Sequence, residues 1–334
     1  MKSVYDYLPT INATTAADMA EQAGLDFTAI KVDTYYKVVE PTPPHEPVPA
    51  IFPPQVKERE CHIPKTVAVI REDDGRYLGT VGRTRGILQY KDVLAFTEAL
   101  VTEGRATYVS GGAIGNGEQA FVVMKTDDCI VLSDGDTVEC FFYITTSHDG
   151  TKGLEIVFAP LRTTNGTVVT RGKQTRINFK HTSRIEERFK RATFSVDRIT
   201  NYFKEMETSF QLLRSVRPTR DQLDVYLKSL IPDSPEVPKR AENARADILS
   251  IYNNGAACQL PATKGTMLGA YFAVVEWVDK QRIIKKSKVR PNEYDAAIHS
   301  LLEGSGAQEK SDAYAFALDL INKLGNVTLV SSLI

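Results

Sequence analysis

The segment Ser147-His148-Asp149-Gly150-Thr151 sets a histidine directly beside a carboxylate. Such a couple can serve as a general base, provided that a nucleophile and an oxyanion site converge on it. If the strand at 154–162 returns antiparallel, Ser147, Arg162, Asn165, His181 and Thr182 become neighbours. His148, Asp149, Arg162, Asn165 and His181 would then form a polar cluster suited to a nucleotide or phosphodiester substrate. The plainer reading is an Asp-Gly turn closing a hairpin, with His148 exposed beside it. That reading is favoured, so no catalytic residue is assigned.

Glycines offer a second chemistry, in SGGAIGNG (110–117) and LGTVGRTRG (78–86). A dinucleotide fingerprint needs a strand before it and a helix N-terminus after it. Here both flanks read as strands, so hairpin turns with positive φ are expected instead. The phosphate-cradling pattern G-x-x-x-x-G-K-[ST] does not occur. Cys61, Cys129, Cys140 and Cys258 stand far apart, and the five histidines do not cluster with them at zinc-ligand spacing. Four reduced thiols, no metal and no cofactor are expected.

The third chemistry is electrostatic. Residues 171–220 hold thirteen Lys/Arg against five acids, a formal +8 in a chain of net charge −1, which leaves −9 for the remainder. Within that window Arg184, Arg188, Arg191 and Arg198 each precede an apolar position of a long periodic helix. They make a basic stripe with a step of roughly 5–6 Å. Arg171, Lys173, Arg176 and Lys180 extend the track, and Lys285, Lys286 and Lys288 belong to a second basic run free of acids. Segregation on this scale suits a polyanion, and the step suits the phosphates of an extended single strand.

Positioning these groups falls to an ordinary globular chain of 334 residues, 42% hydrophobic and 25% charged. No stretch is long and apolar enough to span a membrane or to act as a secretory signal, so a cytoplasmic protein is expected. Three parts are delimited. Residues 1–63 read as an α/β lead-in, with a helix over AADMAEQ capped by Thr14 or Thr15. It continues through FTAIKVDTYYKVV as strand and a proline arm at 41–54 that is either a connector or a strap on a neighbouring subunit. Residues 64–218 read as an α+β core. PKTVAVIRED and GRYLGTVG form a hairpin about Asp73-Asp74-Gly75, and YKDVLAFTEALVTEG forms a helix with Val93, Phe96 and Leu100 on one face. Four strands then make an antiparallel meander (RATYVSGGAIG, EQAFVVMK, VECFFYITTS, LEIVFAPLRTT).

The long helix follows from the spacing of Ile185, Phe189, Ala192, Val196, Ile199, Phe203, Met206, Phe210 and Leu213. Phe121, Val123, Phe142 and Ile156 are expected to face it. Residues 219–334 read as all-helical, with helices near 219–231, 239–252, 264–283, 292–303 and 311–323.

AGLDF (23–27), YLGTVG (77–82), SGG (110–112), SHDGT with APLR (147–162), FKHT (179–182) and GTMLGAYFAVVEWVD (265–279) occur in an order that resembles the phage/plasmid-like protein family, a bacterial domain of unknown function carried by phages and mobile elements. The resemblance runs over about residues 20–280 and implies a setting in the cytoplasm of a bacterial host. A helix and antiparallel meander followed by a long basic helix is also similar in architecture to phage single-strand annealing proteins. That similarity implies ATP-independent binding and annealing of single-stranded DNA by a homo-oligomeric ring or filament, with a phage exonuclease or a host single-strand binding protein as further partners. The alternatives are an enzyme built on the His148 cluster and an accessory protein that binds a host protein through its acidic surface.

Overall fold

The structure, a computed structural model, describes residues 8–41, 56–133, 135–172, 176–182, 196–233, 235–236, 238–282, 300 and 304–323. Apart from Pro41, the proline arm lies outside these residues. So do the N-terminal half of the periodic helix, Lys285, Lys286 and Lys288 of the second basic run and, except for Ser300, the helix expected at 292–303.

Helix α1 (Ala16–Gln22) opens with a capping box. Thr15 Oγ1 accepts from Asp18 N–H, and the Asp18 carboxylate accepts from Thr15 N–H in return. The strands β1 (Ala29–Pro41), β2 (Val56–Arg71) and β3 (Tyr77–Gly82) form an antiparallel sheet in that order. The expected Asp-Asp-Gly turn joins β2 to β3, with Gly75 at φ +70°. β3 covers β2 only from Thr66 to Ile70; farther out, β1 and β2 continue as a ribbon of two described strands, Tyr35–Pro41 against Val56–His62. At the junction four residues of β2, Ile63 to Thr66, stand opposite Thr34 alone. Pro64 lies in this irregularity, where no ladder N–H is needed. β2 therefore begins eight residues before the strand read from sequence.

Helix α2 (Tyr90–Thr102) buries Val93 and Leu100 and half-buries Phe96. The meander follows as β4 (Ala106–Ile114), β5 (Gln119–Ser133), β6 (Asp136–Ser147) and β7 (Leu154–Phe158). With β10 (Arg176–Phe179) the sheet order is β10-β7-β6-β5-β4, while the short β8 (Leu161–Arg162) and β9 (Thr167–Val168) attach at the start of β6.

Helix α3 (Val196–Ser215) is the described part of the periodic helix, and Phe203, Met206, Phe210 and Leu213 are all buried. Phe142 and Ile156 share its cluster, whereas Phe121 and Val123 lie on the opposite face of the sheet with Phe141, Tyr143 and Val157. Successive strand residues alternate faces, so odd positions of β5 cannot share a face with even positions of β6 and β7. Half of the expected partners of the helix are thus corrected. The fold is α+β, completed by α4 (Arg220–Leu230), α5 (Pro238–Asn254), α6 (Met267–Lys280) and α7 (Ser305–Lys323), the last starting six residues earlier than expected. No helix among the described residues is long and apolar enough to cross a membrane.

Candidate functional site

β6 carries the candidate residues at its two ends. Ten residues separate Val138, which pairs with Arg162, from His148, so roughly 30 Å of extended strand lies between the two groups. The expected five-residue cluster is therefore divided. His148, Asp149 and His181 gather at one end of the strand, and Arg162 and Asn165 at the other.

At the first end the loop after β6 is tied down by its own side chains. Asp149 accepts from Thr151 N–H (2.8 Å), Thr151 Oγ1 (2.6 Å) and Gln119 Nε2 (3.0 Å), while Gly150 supplies the turn at φ +87°. Burial alone would raise the Asp149 pKa, but these hydrogen bonds outweigh it and hold the carboxyl below its usual range. The loop lies directly on β3. A Cβ added to Gly79 would stand 2.5 Å from Asp149 Cα, so YLGTVG needs glycine there for close backbone approach.

His148 is the opposite of the exposed turn residue favoured from sequence. Its main-chain N–H donates to Glu118 O, and the side chain is carried onto the inner face of the sheet. There it stacks on Tyr90 with 4.1 Å between ring centroids, and Phe27 meets it edge-on. Neither ring nitrogen has a hydrogen-bond partner. Burial first, then the nearby His181 and Arg85, push its pKa down to about 3. Burial and Arg85 likewise lower His181 to about 4, although His181 lies within hydrogen-bond reach of Thr146 Oγ1 (3.0 Å) and Gly86 O (3.3 Å). Arg85 donates to Lys152 O (2.6 Å) at the rim. Asp149 thus turns its oxygens to Gln119 and Thr151 and leaves the imidazole unoriented. The couple lacks the relay a general base requires.

At the second end Arg162 is fully buried. It donates from Nε and Nη2 to the two oxygens of Asp136 (2.8 and 2.6 Å), from Nη2 also to Ala257 O (2.7 Å), and lies over the Phe272 ring at 4.4 Å. Thr164 Oγ1 donates to the same carboxylate. This bidentate pair joins the sheet to the segment before α6. Asn165 donates to Glu276, and buried Lys310 bridges Val168 O and Asp279 while Asp279 accepts from Val168 N–H. These groups fasten the helical part to the β8–β9 loop and present no open chemistry. Among the described residues no group of three or more His, Cys, Asp or Glu is arranged to hold a metal ion.

Of the basic track, Lys180 is exposed beside the edge strand β10, which also includes Arg176; Arg198 lies in α3. Arg171 is corrected: its side chain is buried, paired with Glu205 and set over the Tyr202 ring, so its guanidinium is committed inside the protein. Lys173, Arg184, Arg188, Arg191, Lys285, Lys286 and Lys288 lie outside the described residues. Sequence reasoning did not single out Arg85, Tyr90, Gln119 or Asp136. Gln119 was findable, because it stands opposite Ser147 once β5 and β6 are paired. Asp136 had no signal beyond its place in an Asp-Gly-Asp turn.

A family model described as a domain of unknown function (DUF932) matches residues 77–302, about two thirds of the chain, so the chain belongs to that family. No curated protein and no solved structure matches it.

Proposed function

We propose that this member of the family is a phage- or plasmid-borne protein that binds single-stranded DNA and promotes annealing without nucleotide hydrolysis, acting as an oligomer. The observation that carries the reading is the charge segregation: +8 over residues 171–220 within a chain of −1. A polyanion is attracted by such a local field even when the whole molecule is near neutral. The enzyme alternative loses support, because its four residues are divided between the two ends of β6 and His148 is buried and uncharged.

With Arg171 removed from the track, the contacts fall to Lys173, Arg176, Lys180, Arg184, Arg188, Arg191 and Arg198, with Lys285, Lys286 and Lys288 as a second run. Guanidinium forks suit phosphate oxygens, and phosphate contacts position a strand without reading its sequence. The test is binding of a labelled oligonucleotide of about 40 nucleotides across a salt series. The Arg188→Ala/Arg191→Ala variant should bind more weakly with unchanged base preference. Its slope of log K against log salt should shrink by about 0.7 per lost contact. Wild-type affinity with an unaltered slope in that variant removes the stripe from the binding site. No binding by the unaltered chain at low salt removes the reading.

A further inference from the structure

We infer that two copies of this chain join through the outer edge of β1, antiparallel and centred on Tyr35, to make one continuous six-stranded sheet. The inference goes beyond the nucleic-acid reading and does not depend on it.

β1 is an edge strand thirteen residues long; β2 occupies one side of it, and no described strand occupies the other. The direction of its free main-chain groups follows from two contacts. Glu72 N–H donates to Thr28 O across the pair with β2, whereas Ala29 N–H and C=O both turn outward, where the Gln89 amide meets them. By strand alternation Lys31, Asp33, Tyr35, Lys37 and Val39 also point their N–H and C=O groups away from β2. No hydrogen bond from those outward groups is made to another described strand. Free edges of this length are normally shortened, covered or studded with charge. This one carries charge at Lys31, Asp33 and Lys37, yet it also exposes Tyr35, Tyr36 and Val39 to more than half of their full extent.

The outer half of β1 also lacks the support that a ribbon needs. Past Thr34 the only described strand beside it is β2, and a two-stranded ribbon is marginal in water without a third strand or a packed face. A second β1 supplies that strand.

Charge selects the occupant. The distal ribbon carries Lys37, Lys57 and Arg59 against Glu40, Glu58 and Glu60, a balance that does not favour a polyanion. It does favour the strand itself. In an antiparallel self-pair about Tyr35, positions summing to seventy stand opposite one another, so Asp33, which also pairs with Arg83 in its own chain, faces the partner's Lys37, which also pairs with Glu58 in its own, twice by symmetry. Tyr35 is also the midpoint of Ala29–Pro41; with the outward groups of Ala29 held by the Gln89 amide, the shared ladder runs from Lys31 to Val39. Outward-facing residues then meet outward-facing residues, as a hydrogen-bonded ladder requires. The contact is isologous and closes on itself.

The test is the native mass of the full chain without nucleic acid, measured over a concentration series. A dimer is expected. Lys37→Asp, which sets two carboxylates against each other on both sides of the axis, should weaken it about tenfold, and Asp33→Lys/Lys37→Asp should restore it.

A second measurement does not depend on charge. Hydrogen-bonded pairs place Cα atoms about 5.5 Å apart, within disulfide range, so Tyr35→Cys should cross-link to its copy on oxidation. The background is Cys61→Ser/Cys129→Ser, and the control is Tyr77→Cys, equally exposed but on β3. A monomer at every concentration, a dimer indifferent to Lys37→Asp, or cross-linking no faster at position 35 than at 77 overturns the inference. A monomer that still binds oligonucleotide sinks this inference and the oligomeric part of the proposed function, and leaves the nucleic-acid contact standing. A dimer that binds none sinks the nucleic-acid reading alone.

Discussion

The two ends of β6 bury polar groups by opposite means. At its start, Asp136 and Arg162 are fully buried as charges, and each oxygen of the carboxylate meets the guanidinium fork. At its end, His148 is buried to a similar degree with neither ring nitrogen partnered, and it stays neutral. Pairing keeps a charge inside and makes each partner indispensable to the other. Neutralisation needs no partner, but it ties the fold to pH. The first solution suits a joint that must hold sheet and helices together. The second suits a ring wedged between Phe27 and Tyr90, where shape and aromatic contact decide the packing.

The largest expected effect tests the paired end. Arg162→Met leaves Asp136 buried without its counter-ion and should cost about 3–5 kcal/mol in urea unfolding. Asp136→Asn/Arg162→Met removes both charges and should cost markedly less than the single change. A single variant within about 1 kcal/mol of wild type breaks the comparison, because it would mean that the carboxylate finds water or another donor.

A smaller effect, set by pH, tests the other end. The folded pKa values of His148 and His181, about 3 and about 4, lie below the value near 6.5 that an unfolded chain shows. Between those limits the unfolded chain binds more protons, so stability falls as pH falls from about 6.5 toward 4. It is unaffected by these two groups above that window. Each histidine contributes a slope of up to about 1.4 kcal/mol per pH unit. Unfolding free energies collected at intervals across the window give the slope directly. A flat profile from pH 6.5 to 4.5 would show that these rings are not held neutral.

How much of this was legible beforehand depends on whether a feature is local. The cap at Thr14 or Thr15, which Thr15 makes, the turn at Gly75, the α2 face and the buried seam Phe203–Leu213 follow from spacing within one segment, and all are present. Register was not legible. Arg162 and His148 seemed neighbours because β7 returns along β6, yet Arg162 lies beyond β7 in β8, which pairs with the far end of β6. The even split of faces that set Phe121 and Val123 apart from α3 follows from alternation and was available in principle, once the strands were aligned. The outer ribbon was invisible for another reason. VKERECHI has no apolar alternation, and it is a strand because β1 lies beside it.

The smallest expected effect is the most discriminating. His148→Phe keeps an aromatic ring in the stack on Tyr90 and removes two nitrogens that have no partner. A buried polar atom without a hydrogen bond costs on the order of 1–3 kcal/mol, so exchanging it for carbon should recover part of that cost. Phenylalanine is slightly larger than histidine, and the strain of the extra volume offsets some of the gain. The net expectation at pH 7 is a variant as stable as wild type or about 1 kcal/mol more stable. At pH 5 its advantage should widen, because only His181 then remains to be kept neutral. The two measurements separate the accounts cleanly. A loss of more than about 1 kcal/mol at pH 7 would mean that the imidazole nitrogens do hold something, an ordered water or a ligand. In that case His148 would return as a site.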